Sequence, residues 1–597
     1  MAAGPPSRSA PRDPNQEAGV LIAFLPLALL GCLYYLAYAR LHLHTSQLIE
    51  ISIYAAAALW LAWESLRYVA TYARQKEEVW PRPAMYVERC RDLEEMKKAH
   101  AKNSVLLGYD IDGKPWLWSD ETRVMQANSF GMTGAGKSTL LSSIIEQDLV
   151  RLTGPVGHKH KIPLIIIDGK GERSFLDGFL IPAVAAAGRL DDLDIIAPSR
   201  PEISARFNPF VSLAQNYQDH VNFIFESFDL ETDFFHGHQK TYLSDVVRIL
   251  YYTGKRYNIY DILVMIYDLA VLKEQGLIAQ RRLATLPGIS SQQKLNFEMS
   301  VRNLIESFND PKRVQMVRGL INNMMTFLED RLSMITGPYE DLISIEEIIE
   351  RGQILCISLN TSANDATTTA LGRMILQNLQ MVIGSRYEQS SRDVYMPFVS
   401  VTMDEFAPIA YYNFATIVHT ARGSNTAFNF SMQSAPQMLD VGKGFQRNIV
   451  SAPNTTFMML SRDEDTCQFF VKASARVKQL RRSRNVRKVG VLNPKYQDQG
   501  FGSETEVKDT RAQEEHIKNM PVGQMEILMS DRDLGTIHDH IYVRSPYYDR
   551  LGSVSPIAFP RYTTRYNASI GANLRFKDVN LEASRQRGMR TSRRSAV

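Results

Sequence analysis

Apolar runs, alternating stretches and helical stripes divide the chain into parts made for different surroundings. Residues 19–39, GVLIAFLPLALLGCLYYLAYA, hold no charge over twenty-one positions. At ~1.5 Å of rise per residue they span ~30 Å, the hydrocarbon thickness of a bilayer. A secretory signal peptide is the rival reading, since Ala37-Tyr38-Ala39 resembles a cleavage site. The run is long for the apolar core of such a peptide. A second run covers Leu48–Leu66, but its charge-free centre, Ile51–Trp63, has only thirteen residues. An interfacial amphipathic helix competes with a span there. Trp60, Trp63, Tyr68 and Tyr72 suit an aromatic belt. Two arginines precede the first run, Arg67, Arg74, Lys76 and Arg82 follow the second, and only Arg40 lies between them. That bias predicts a transmembrane helical hairpin within residues 1–75, with both ends in the cytoplasm.

Past residue 76 the pattern becomes that of a globular α/β protein. Ser104–Tyr109 and Pro115–Trp118 flank Asp112-Gly113, a hairpin signal. Arg123–Phe130 is strand-like and enters a glycine-rich turn. Pro163-Leu-Ile-Ile-Ile-Asp168 is a short apolar run suited to a buried parallel strand. Over residues 213–345 the period changes. Ile262, Met265, Ile266 and Leu269 follow helical spacing, as do Val317, Leu320, Ile321, Met324 and Leu328, and Asn258 suits an N-cap. This block predicts an inserted all-α domain. Strand signals return at Ile354–Leu359, Pro397–Asp404, Thr426–Met432, Thr455–Leu460, Met525–Met529 and His540–Val543. Strands alternating with helical stretches predict the α/β class with a parallel sheet. The nucleotide-binding domain then comes in two parts, 76–212 and 346–550, and residues 551–597 form a basic, partly disordered tail.

Composition changes this picture little. Of 597 residues, 45% are hydrophobic and 22% charged, which excludes wholesale disorder and fibrous repeats. Cys32, Cys90, Cys356 and Cys467 form no CxxC pair, which argues against a disulfide framework and for a reducing compartment. The 68 Lys and Arg against 64 Asp and Glu conceal local patches. Residues 472–488 carry eight basic residues and no acid, and residues 584–597 carry five arginines and no acid. Without those thirteen the balance is 55 basic against 64 acidic, net −9, so a uniformly basic DNA-coating protein is excluded. The basic run tracks phosphates or anionic headgroups, or is a solvated basic loop. Without interleaved aromatics it does not suit base stacking. The HxH pairs His42/His44, His158/His160, His236/His238 and His538/His540 have no carboxylate or cysteine at ligand spacing and suit surface histidines better than metal ligands.

One segment carries explicit chemistry. Gly131-Met-Thr-Gly-Ala-Gly136-Lys137-Ser138 matches GxxxxGK[ST], between an apolar strand and a helix opened by Leu140, Leu141, Ile144 and Ile145. Glycines let the backbone wrap phosphates with its N–H groups at a helix N-terminus. Gly131, Thr133, Gly134, Ala135, Gly136, Lys137, Ser138 and Thr139 are the candidate ATP-binding set. Lys137 is expected to stand open to ligand and to meet the β/γ-phosphates, and Ser138 to coordinate Mg²⁺. An ATP site also disfavours the signal-peptide reading, because an exported chain would meet no ATP. The partner motif is an apolar strand ending in acids, Pro397-Phe-Val-Ser-Val-Thr-Met-Asp404-Glu405. Asp404 completes the Mg²⁺ shell and Glu405 is the candidate general base. The 267 residues from Lys137 to Asp404 leave room for the helical insertion.

Two apolar spans, this loop, an all-helical insertion and a late Asp-Glu strand together resemble the coupling-protein ATPases of bacterial conjugation and type IV secretion, the TraD/TraG group. Asp168-Gly-Lys-Gly-Glu172 is similar to that family's DPKGE segment, with Gly169 where proline is usual. Phe207-Asn-Pro-Phe210 resembles its NPL-type turn. Arg422, followed by Phe428-Asn-Phe-Ser-Met-Gln433-Ser434, resembles its arginine–strand–QS element. Asn454-Thr455 and the run from Met525 to Tyr547-Tyr548 resemble its closing strands. The resemblance, over about residues 15–550, implies a RecA-like P-loop motor with ATP and Mg²⁺ as cofactors. It further implies a homohexameric ring under an inner-membrane stem, other inner-membrane channel components as partners, and single-stranded DNA with its relaxase, or a secreted protein, as cargo. It gives Gln433 a γ-phosphate-sensing role against that of a sheet-edge glutamine. For Arg422 it implies a finger onto a neighbour's ATP, against a solvated helix end. Two rival functions remain. One is a membrane-docked receptor for secreted proteins without DNA pumping. The other is an FtsK-like chromosome translocase, which usually has more spans, a long linker and a terminal DNA-reading domain.

Overall fold

The computed structural model describes Glu50, residues 53, 54 and 56–66, and residues 85–546 with breaks at 86, 212–215, 229–235, 329, 362–365, 391–395, 475, 490–494 and 532–534. The first apolar run and the basic tail lie outside the described residues. Contacts divide the chain into two units, Met1–Arg82 and Pro83–Val597. In the first, residues 56–66 are helical. No helix among the described residues is long and apolar enough to cross a membrane.

The second unit is built on an eleven-stranded sheet. Its parallel strands are β3 (Ala127–Phe130), β4 (Leu164–Asp168), β5 (Leu193–Ile196), β6 (Ile354–Ser358), β7 (Val399–Asp404), β8 (Thr426–Met432) and β9 (Thr455–Met458). They lie in the order β9-β3-β8-β7-β4-β6-β5. Their unbroken apolar runs follow from burial on both faces. Ile165 and Ile167 of β4 join one core cluster, and Leu164 and Ile166 join another on the opposite face. Beyond β9 the sheet continues antiparallel through β12 (Gln524–Asp531), β13 (Gly535–Val543), β1 (Ser104–Tyr109) and β2 (Pro115–Ser119). As the Asp112-Gly113 turn predicts, β1 and β2 form a hairpin, with Asp110 accepting from the N–H groups of Asp112 and Lys114 at 2.9 and 2.8 Å.

Helix α1 (Arg89–Ala101) precedes β1, and α2 (Lys137–Val150) follows β3. The middle of the chain is helical, as its period predicts: α3 (Tyr217–Ser227), α4 (His236–Thr253), α5 (Ile259–Tyr267), α6 (Leu269–Thr285), α7 (Ser291–Glu306) and α8 (Pro311–Met325). Asn258 caps α5 through a reciprocal pair with Asp261. The insertion leaves and re-enters the sheet domain at adjacent points. Arg206 and Leu342 form a parallel bridge, and the Ile343 N–H donates to the Arg206 carbonyl at 2.9 Å.

Three elements differ from expectation. Residues Asp120–Arg123 are one helical turn, because Ser119 caps it by accepting from the Thr122 N–H; the strand begins only at Ala127. A 25-residue helix, α9 (Ala366–Ser390), packs beside the insertion. The basic run is no loop. Strand β10 (Arg476–Val489) pairs antiparallel with β11 (Lys495–Thr510) in a sheet of their own. Helix α10 (Lys443–Ser451) precedes β9 and α11 (Glu464–Ala473) follows it.

Candidate functional site: the phosphate loop and the carboxylates of β7

β3 and β7 are not neighbours; β8 lies between them. All three run in the same direction, so the loops that leave their C-terminal ends open on one edge of the sheet. The loop after β3 turns through Gly134 (φ 81°) and Gly136 (φ 108°), conformations in which a side chain is strained. No side chain caps α2, whose first helical residue is Lys137 and whose first turn holds no acid. Its leading N–H groups and the positive end of its dipole therefore remain available to an anion.

Lys137 departs from expectation. It is only 4% exposed, and its ammonium donates to the carbonyl of Gly131 and, at 3.3 Å, to that of Met132. Burial lowers its pKa, while Glu405 and Asp404 oppose the shift and Lys170 adds to it. The ammonium is thus satisfied by carbonyls of its own loop.

Across the gap, the Ser138 hydroxyl donates to Asp404 Oδ2 at 3.0 Å. Asp404 Oδ1 accepts from the Ser431 hydroxyl of β8 at 2.9 Å. A hydroxyl and a carboxylate facing each other this way are hard oxygen ligands suited to Mg²⁺. That ion usually takes one or two carboxylates with substrate phosphates and waters, not an all-protein cage. No cluster of three or more His, Cys, Asp or Glu able to hold a metal occurs among the described residues.

Glu405 follows in a left-handed backbone conformation, φ 51°, unusual for a residue with a side chain. The Phe406 N–H, which donates to the Ser431 carbonyl at 3.2 Å, pins it on one side. On the other, the Gly169 N–H donates to the Asp404 carbonyl at 2.9 Å. A Cβ on residue 169 would lie 2.6 Å from the Glu405 carbonyl oxygen. The glycine that stands where the related segment has proline thus fits this chain twice, through its donor and its missing side chain. Gln433, at the end of β8, donates to Glu405 Oε1 at 2.9 Å.

β4 adds residues to which the sequence motifs alone assign no role. Asp168 lies beside Asp404 in the β4–β7 register. Its carboxylate accepts from the N–H groups of Lys170 and Glu172 at 3.0 and 3.1 Å. Burial, with Asp404 adding, pushes its pKa up to about 7 against those donors. The Lys170 ammonium lies 3.5 Å from Glu405 Oε1. An open cleft, lined also by Leu141 and Ile145, brings Ser138, Asp168, Lys170, Glu172 and Asp404 together. The signal for Lys170 was a lysine two residues beyond an acid that ends a buried strand.

Arg422 is not in this cluster. It is exposed, in the turn before β8, at the opposite end of that strand from Gln433.

No known protein-family profile matches the sequence, and no curated protein does. Solved structures do match. The bacterial conjugative coupling protein TrwBdeltaN70, in its unbound monoclinic form, superposes with a TM-score of 0.50 at 14% identity, covering 76% of this chain and 92% of that one. Its trigonal form in complex with sulphate gives 0.50 at 14% identity over 77% and 94%. VirB4 of Thermoanaerobacter pseudethanolicus gives 0.42 at 15% identity over 75% and 98%. The TrwB likeness shows a shared fold.

Proposed function

We propose that this chain is an inner-membrane ATPase. In this reading it couples ATP hydrolysis to delivery of single-stranded DNA with its relaxase, or of an effector protein, into a type IV secretion or conjugation channel. The observation that carries the ATPase part is the 3.0 Å contact between Ser138 and Asp404, with Glu405 next in the chain. Phosphates of ATP lie along the N–H groups of the loop, and Lys137 leaves its carbonyls for the β/γ-phosphates. Glu405 takes a proton from the attacking water. The water oxygen bonds to the γ-phosphorus, and the bond to the bridging oxygen breaks to leave ADP and phosphate. Mg²⁺ would be held by Ser138 and Asp404 and would neutralise charge on the phosphates.

Three features support the transport part: the charge-free run at 19–39, the fold shared with a conjugative coupling protein, and the β10–β11 arm. β10 carries seven Lys and Arg and no acid. The register pairs this basic strand with β11, from Arg476 opposite Thr510 to Val489 opposite Lys495, and a strand so rich in Lys and Arg suits the phosphates of single-stranded DNA. Contacts of this kind bind any sequence and weaken steeply with salt. The test is the hydrolysis rate of the full-length protein in detergent, with and without single-stranded DNA. Stimulation that disappears as salt rises supports the DNA reading. Hydrolysis indifferent to DNA favours a receptor for secreted proteins, and no hydrolysis at all ends the ATPase reading.

The ring is part of the same proposal. Arg422 lies at the end of β8 away from the phosphate loop, and in this reading it meets a neighbour's ATP. Arg422→Ala is expected to retain nucleotide affinity and lose turnover, by ~10³-fold or more where such fingers operate. Mixed with Lys137→Ala protein, it regains partial activity. No recovery in rings shown to be mixed returns Arg422 to the solvated turn.

A further inference from the structure

Glu405 is held from both flanking strands. Gln433 at the end of β8 and Lys170 beyond the end of β4 approach the same oxygen, Oε1, at 2.9 and 3.5 Å. Neither arrangement is a loose surface contact, since the side chains of Lys170 and Glu405 are 21% and 10% exposed. The backbone that presents Lys170 is fixed. Its N–H donates to Asp168, and the preceding Gly169 N–H donates to the Asp404 carbonyl. Lys170 and Glu405 therefore emerge side by side from two hydrogen-bonded strands. Burial works against the Lys170 charge, but Asp404 and Glu405 outweigh it and keep the ammonium protonated.

A base that must accept a proton from water needs a free lone pair and an unneutralised charge. Here two donors occupy one carboxylate oxygen, and one of them is a cation. We propose that Lys170 is a positioning residue that restrains Glu405, and that hydrolysis requires the ammonium to leave Oε1. The cleft offers it a destination. Lys170 and Ser138, the residue after Lys137, line the same cleft. An anion entering at Lys137 draws Lys170 away from Glu405 by the same attraction that now holds it there. The restraint thus ties water activation to occupancy and suppresses turnover by a loosely filled site.

This inference rests on the ATPase reading above, and the experiment separates the two. Steady-state hydrolysis without DNA is measured for the full-length protein and for Lys170→Met, Lys170→Gln and Lys170→Arg. Losing the restraint is expected to raise kcat in the two neutral variants by about 3- to 10-fold, the scale of one half-buried pair, with KM changed less than about twofold. Lys170→Arg retains the pair and stays near wild type. A role confined to holding the turn lowers activity in the neutral variants and never raises it. Lys170→Met/Lys137→Ala must remain inactive, which identifies the added turnover as this site's own. If wild type hydrolyses ATP and neither neutral variant is faster, Lys170 is no restraint and the inference is overturned while the ATPase reading stands. If wild type hydrolyses nothing, both fall. The thermal midpoint of each variant shows that it folds, and Lys170→Gln serves should Lys170→Met not.

Discussion

Two sets of helix starts in this molecule are built on opposite principles. In the insertion, α3, α5 and α7 begin with reciprocal caps: Asn216 with Asp219, Asn258 with Asp261, and Ser290 with Gln293. α6 and α8 take side-chain caps from Asp268 and Asp310. Each cap occupies one or two of the leading N–H groups within the chain and puts a side chain where a ligand would sit. α2, by contrast, starts from a glycine with no side-chain cap and with a buried lysine as its first helical residue. A cap there would stabilise the apo fold and compete with phosphate. At α2 the open start leaves donors for an anion, whereas the capped starts of the insertion hold theirs within the chain.

The largest expected effect comes from emptying the open end. Lys137→Ala should take hydrolysis to the detection limit in a phosphate-release assay. Its thermal midpoint should stay within a few degrees, because the lost bonds are two, both to carbonyls of its own loop. Closing the open end comes next. Gly136→Asp places a carboxylate where the insertion places its caps, and the introduced charge repels the incoming anion. Nucleotide affinity measured by fluorescent-analogue titration should fall at least ~10-fold, the equivalent of about 1.4 kcal/mol. Unchanged affinity would show that the missing cap is not what makes the site. Opening a closed end has the reverse signature. Asn258→Ala is expected to cost about 1–2 kcal/mol in a denaturant titration with turnover unaltered.

The smallest effect separates two carboxylates that both accept backbone N–H groups. Asp261 does so at a helix start, Asp168 beside Asp404. Asp168 has a folded pKa raised from 3.8 to about 7, so the native state holds a proton that the unfolded chain gives up. Its contribution is complete below the unfolded pKa and is lost as pH rises through about 7. Without Mg²⁺, the wild-type thermal midpoint should therefore decline between pH 4 and 7 relative to that of Asp168→Asn. Parallel curves would remove the assigned shift.

How legible these features were in the sequence depended on whether a local pattern encoded them. The β4 and β7 runs, the phosphate loop and the α5 cap each follow from a short segment, and each is where its pattern predicts. Other features depend on partners distant in sequence. α9 shows little amphipathic contrast because it packs on several sides, burying Thr368, Gln377 and Asn378 along with Leu371 and Leu379. β10 breaks the apolar alternation of a strand, since its pairing is with β11 alone. The burial of Lys137 reflects carbonyls six and five residues behind it, and the position of Lys170 depends on the β4–β7 register. No motif at residue 170 announces that register.

The bridge between Arg206 and Leu342 has a consequence for how the molecule assembles. Joining Lys137 to Asp404 closes a loop of 267 residues. Once the helical segment has folded and brought residues 206 and 342 together, 136 of those residues no longer belong to the free loop, and 131 remain. Halving a flexible loop lowers its closure entropy by about 0.6 kcal/mol. Local helical contacts also form faster than distant strand pairings. The insertion is thus placed to fold first and to shorten the search by which β3 and β7, remote in sequence, arrive on either side of β8.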